Sequence, residues 1–419
     1  MNSNRNHALG MAVICLGASI APLDFSVNIA FPAMTQAFSL DTQGIRWVAI
    51  CYMLSYGGLM LLFGSIGDRV GHLKIFRWGL MLGALAFLLC AVAPSFRLLL
   101  VGRVIQGVAT ALTVSCAPAL VLRLFADHRR TWALSRFGAY FALAAAIAPV
   151  MGGLMTGLMG WPGVYWFRIP LIVFAWFSLR YVNLSEHDDE TRQRHDVNFS
   201  AWSVLSQVAS QNNNFLWINI SSFVVQWSVF TVPLLVPYFC VQQLGWTYLQ
   251  CGLLLGLWAS GTVAGSFLAP RFTQATKVEL VAYLSAWITS LSVCSIALWS
   301  QDASILLIGG SLLSCGLGLG VYQVAYADLV VAALPRSSRG VAGSLTQVTR
   351  TIGVIVGAFT WLWIFSQLLP ETKSDGHDSP QAFMLGFRAV FLISPAFAVA
   401  FLAISALKPG LWFKEEAAS

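Results

Sequence analysis

The chain has 419 residues, 24 Lys and Arg against 17 Asp and Glu, a net charge of +7, and 58% hydrophobic against 10% charged residues. A soluble domain carries about 25% charged residues, so this composition excludes a soluble enzyme, a disordered chain and a disulfide-stapled secreted domain. What remains is an all-α polytopic membrane protein, whose positive balance reads as inward-facing loop charge with no nucleic-acid partner.

A helix needs about 20 apolar residues to cross a bilayer core. Apolar runs lie at 8–33, 44–66, 75–94, 98–122, 131–158, 163–182, 214–239, 248–270, 279–299, 304–334, 342–368 and 383–407, which gives about twelve spans. With the N-terminus inside, seventeen Lys and Arg fall on inner segments, three on outer segments, and Arg103, Arg168, Arg350 and Arg388 within spans. That asymmetry places both termini in the cytoplasm, and the small loops agree with a cell inner membrane as the expected location. The first run is too long for a signal h-region and lacks a basic start. The eight cysteines are scattered through apolar runs without a close pair, as small fillers and with no metal or disulfide framework.

The longest polar stretch divides the spans six and six. The expected organisation is an N-terminal six-helix bundle over 1–182, a cytoplasmic linker over 183–213 and a C-terminal bundle over 214–419. Within the linker, Phe199, Trp202, Leu205 and Val208 are spaced as on an interfacial amphipathic helix. A weak repeat supports the division: Gly64-Ser65-Ile66-Gly67-Asp68-Arg69 closes span 2, and Gly265-Ser266-Phe267-Leu268-Ala269-Pro270 closes span 8. Two pseudo-symmetric bundles around a central cavity are a recurrent transporter plan.

Four motifs in order carry a resemblance over essentially the whole chain. They are Leu23-Asp24-Phe25-Ser26-Val27-Asn28-Ile29-Ala30-Phe31-Pro32, Gly64 to Lys74 through Gly67-Asp68-Arg69-Val70-Gly71, Arg103-Val104-Ile105-Gln106-Gly107, and Ala148-Pro149-Val150-Met151-Gly152-Gly153. Together they resemble the major facilitator superfamily, and within it the drug:proton antiporters. Ala148 stands where that family has Gly, and His72 and Leu73 replace part of its basic cluster. The resemblance implies a monomeric secondary transporter in the lipid bilayer that exports small organic, drug-like compounds in exchange for protons. It implies alternating access, no cofactor and the proton gradient as driver.

Each motif also has its own physical reading. A carboxylate within a span is costly and faces a cavity or partner. Asp24 lies about 24 Å, and Arg103 about 22 Å, from the inner side. At similar depth they form a candidate pair for proton coupling, or a static structural pair. Asn28 shares a face with Asp24, and Gln106 lies a turn from Arg103; both join the candidate substrate residues. In the 2–3 loop, Gly64, Asp68, Arg69 and Gly71 read through the resemblance as a conformational latch, or alone as a charged topogenic turn. Pro149, Gly152 and Gly153 read as a leak-preventing bend or as plain close packing.

In the second half, Asp328 and Arg350 form a candidate charge pair at about 9 and 12 Å depth. Thr346, Gln347 and Arg350 share one helical face. Gln226, Trp227, Tyr322 and Gln323 are the candidate substrate contacts there, while Trp361 and Trp363 read as membrane-belt residues. No Gly-x-x-x-x-Gly-Lys-[Ser/Thr] run is present and no His-rich cluster lies in the core, which argues against an ATP-driven pump or an intramembrane hydrolase. Uptake or export of one specific metabolite is the alternative within transport.

Overall fold

In the computed structural model the described residues are 2–40, 43–125, 129–182, 213–333, 339–368, 380–408 and 411–412. They are almost entirely helical, with no strand among them. Among the described residues, ten helices are long and apolar enough to cross a membrane. An eleventh arises if Arg46–Met60 and Leu62–Val70, bent by 48°, count as one span. All but the last residue of the expected linker 183–213, with its amphipathic helix, lies outside the described residues.

The difference from twelve lies in the sixth region. There the expected run 163–182 forms two short helices, Gly163–Trp166 and Arg168–Ser178. Pro170 explains the break, because a proline ring clashes with the carbonyl four residues back, here that of Trp166.

The same rule shapes two other spans. The first helix, α1 (Asn2–Ala18), stops four residues before Pro22. A 3₁₀ turn at Pro22–Asp24 and a short helix α2 (Phe25–Ile29) follow, then α3 (Phe31–Ala37). In the seventh span, α4 (Asn213–Val229) ends at the residue four before Pro233, and α5 (Thr231–Tyr238) carries on. The remaining helices used below are α6 (Arg46–Val70), α7 (Phe96–Arg123), α8 (Arg130–Met159), α9 (Arg168–Ser178), α10 (Tyr248–Ala275), α11 (Ile305–Ala333) and α12 (Arg339–Leu368).

The chain forms two compact units, one of residues 1–30 and 47–202, the other of 31–46 and 203–419. In the second, Thr35 shares a 2.6 Å hydrogen bond with Tyr238, and Gln43 donates to Ser366 at 2.8 Å, which ties 31–46 to that unit.

Small residues set the helix spacing in each unit, since without a side chain two backbones approach closely. In the first unit a Cβ on Gly152 of α8 would lie 2.6 Å from the Ser26 carbonyl oxygen. In the second, α10 and α11 each carry a pair of glycines four apart, Gly261 and Gly265 facing Gly316 and Gly320. A Cβ on Gly261 would lie 2.7 Å from the Leu313 oxygen. The weak repeat has a counterpart here. Gly64, the position equivalent to Gly265, faces Ser115 of α7 in the first unit, as Gly265 abuts Leu317 of α11 in the second.

Candidate functional site

The unwinding after Ala18 puts Asp24 in a 3₁₀ turn, where the carboxylate is 7% exposed. Arg103 of α7 grips it with two nitrogens, Nη1 to Oδ1 at 2.7 Å and Nη2 to Oδ2 at 2.8 Å. Its Nε donates to the Val48 carbonyl at 2.8 Å, and its guanidinium lies 4.4 Å from the Tyr52 ring centre. The forked donor geometry matches a carboxylate, which makes such bidentate pairs strong and directional.

Two further groups complete the cluster. Gln106 donates from Nε2 to Asp24 Oδ1 at 2.8 Å and accepts from Arg103 at its Oε1 at 2.8 Å. With both ends of its amide engaged, Gln106 belongs to the ion cluster and is not a free substrate contact. Arg168, at the start of α9, donates to Asp24 Oδ1 at 3.1 Å and also to the Ser26 hydroxyl. It is wholly buried, and its Nε has no partner. One carboxylate therefore faces two guanidiniums in a dry setting. Asn28, on α2, is half-buried and does not join the cluster.

Arg168 was the residue whose role sequence reasoning missed. An arginine inside an apolar run was the available signal, but its depth in a segment broken by Pro170 could not be read from spacing.

The second unit holds a cavity of about 310 Å³ between α4, α10, α11 and α12. Gln226, Tyr322, Gln323, Asp328, Gln347 and Arg350 line it with Ser222 and Thr346. Tyr322 and Tyr326 stack one turn apart on α11, with centroids 6.0 Å apart and planes at 9°. Their hydroxyls turn away, Tyr322 to Ser221 at 2.8 Å and Tyr326 to Asn219 at 2.9 Å. Asp328 and Arg350 reach the same cavity but form no ion pair with each other among the described residues. The expected charge pair is thus a shared lining. Asp328 sits exposed at its place on α11, and Arg350 has contacts of its own.

Trp227 does not line this cavity. Its indole nitrogen donates to Thr360 at 2.7 Å, and its ring packs against Trp361 with centroids 4.5 Å apart. Trp361 donates to the Trp227 carbonyl and is wholly buried, so it is a core residue and not a belt residue, whereas Trp363 is half exposed.

In the 2–3 loop, Gly71 has φ 106° and starts the next helix, while Gly64 and Gly67 lie inside α6. Asp68 pairs with His72 Nε2 at 3.4 Å and is exposed, as is Arg69. Pro149, Gly152 and Gly153 lie within the unbroken α8, where Gly152 packs on the Ser26 backbone. Among the described residues no three His, Cys, Asp or Glu side chains come together as a metal site.

These features define a multi-pass membrane protein, helical among its described residues, with buried charges and a polar cavity between helices. The profile of the Major Facilitator Superfamily matches residues 9–358, and the chain belongs to that superfamily. It is similar to the riboflavin transporter RibZ of Clostridioides difficile (strain 630), 22% identical over 88% of this chain and 91% of that one. A methylenomycin A resistance protein of Bacillus subtilis (strain 168) is 31% identical over 40% of this chain and 36% of its own length. Among solved structures, a bacterial homolog of the human lysosomal transporter Spinster, inward-facing and unoccupied, superposes with a TM-score of 0.77. It covers 95% of this chain and 96% of its own, at 15% identity.

Proposed function

We propose that this transporter exports small organic compounds in exchange for protons by alternating access. The observation that carries this reading is the buried Asp24 carboxylate, held by Arg103 and Arg168. A proton arriving on Asp24 removes the charge that both guanidiniums share, and an equilibrium between two conformations shifts by whatever that change is worth in each. The cavity of the second unit is the substrate contact in this reading. The proton gradient drives the cycle without a cofactor. The protein works as a monomer in the inner membrane with both termini cytoplasmic, as its Lys and Arg distribution favours.

The similarity to a resistance protein supports export, and the similarity to RibZ over nearly the full chain supports a second reading, carriage of one specific metabolite. The test is purified protein in liposomes with an imposed pH gradient, scored against a panel of compounds. Gradient-dependent movement that Asp24→Asn abolishes is the expected result. Undiminished coupling in Asp24→Asn would remove the proton role from Asp24.

A further inference from the structure

The cavity of the second unit has a chemistry of its own. Three glutamines on three helices, Gln226 on α4, Gln323 on α11 and Gln347 on α12, reach its wall. Their side-chain amides make no hydrogen bond among the described residues. Gln226 is only 9% exposed, and the Gln323 amide nitrogen is buried without a partner. An unpaired buried donor is costly, so native interiors leave few of them, and a ligand or water is the usual remedy. Each glutamine offers a donor beside an acceptor, and glutamine can meet a donor–acceptor edge of a flat ring with two bonds at once.

The aromatic side of the wall is equally specific. Tyr322 and Tyr326 lie parallel and have spent their hydroxyls on Ser221 and Asn219, so ring carbon is what they offer a ligand. Aromatic rings prefer flat partners that stack offset or meet them edge-on. Charge adds a third constraint. Asp328 and Arg350 both line the cavity and carry opposite signs, so the lining gives a permanent cation no net attraction.

We propose that this cavity takes a flat, uncharged heterocycle bearing an amide-type edge, an N–H beside a C=O, and discriminates against lipophilic cations. The proposal rests on the transport reading above and names the substrate class of that same site. Recognition by an N–H···O=C pair also explains selectivity, because a site built to bond a polar edge strongly rejects an analogue lacking it.

The experiment uses full-length protein in lipid nanodiscs and equilibrium dialysis with three probes. They are phenanthridin-6-one, which has a lactam edge, its N-methyl derivative, which lacks the N–H, and tetraphenylphosphonium. The expected result is saturable binding of the lactam, weakened about tenfold by N-methylation, with no displacement by tetraphenylphosphonium. Gln323→Leu is expected to erase the difference between lactam and methyl-lactam. Equal binding of the two lactams by the unmodified protein overturns the proposal, as does displacement by the cation or absence of lactam binding. That comparison needs no variant to fold. Gradient-driven movement of other compounds without lactam binding sinks this inference alone. Lactam binding without any gradient-driven movement sinks proton exchange and leaves the site chemistry standing.

Discussion

Arg168 reaches Asp24 Oδ1 across 3.1 Å from the broken sixth span, so one buried carboxylate answers to two guanidiniums. Arg103 holds the same oxygen at 2.7 Å. Removing one member of a buried ionic cluster leaves the others uncompensated, which costs more than the pair itself contributes. Asp24→Asn leaves two guanidiniums facing each other and is expected to destabilise the first unit by roughly 3–5 kcal/mol. Arg168→Gln leaves the bidentate Arg103 pair intact and should cost less. The double variant should lose less than the two single losses together, by about 1–3 kcal/mol. Unfolding midpoints in one detergent measure all three.

The glycine pairs of α10 and α11 make a second, sharper case. A Cβ on Gly320 runs into the Thr262 carbonyl, while one on Gly310, on the same helix, meets nothing within 4 Å. Gly320→Ala should lower stability by about 1–3 kcal/mol through overpacking. Gly310→Ala should be neutral or slightly stabilising, since alanine favours helix over glycine by about 1 kcal/mol. Equal thermal midpoints for the two variants would contradict this packing.

Trp227 anchors the second unit away from the cavity. Trp227→Phe keeps the ring against Trp361 and loses the bond to Thr360, for about 1 kcal/mol of stability. Substrate affinity should stay within twofold of the parent. A tenfold loss of affinity in Trp227→Phe, at unchanged thermal midpoint, would make its ring a substrate contact.

Gly71 holds φ at 106° with open space around its missing side chain. The obstacle to a side chain there is backbone strain alone. Gly71→Ala should therefore cost about 1–3 kcal/mol, and Gly71→Asn about as much, because ψ of 124° lies outside the left-handed well that asparagine tolerates. Two similarly lowered thermal midpoints check it.

Much of the first unit was legible residue by residue. A rise of 1.5 Å per residue and the positive-inside asymmetry placed Asp24 and Arg103 at one depth, and the two meet in the structure. Gln106 shows where that reasoning stops. Its position a turn from Arg103 was visible, but not that both ends of its amide are taken by Arg103 and Asp24. Likewise Trp361 and Trp363 look alike in sequence, two residues apart near a span end. Only one turns inward to bond the Trp227 carbonyl.

By itself the sequence determined a membrane class, the approximate spans and the few ionisable groups within them. Apolar length and charge are sums along one chain, and the bilayer enforces them locally. The tertiary structure alone decided that Arg168 shares Asp24, that three glutamines on three helices meet at one cavity, and that Asp328 and Arg350 both line it without pairing with each other among the described residues. Those outcomes depend on helix rotation and on breaks such as the one before Pro170. Close glycine contacts between distant segments set them, and no periodicity within a single helix records them.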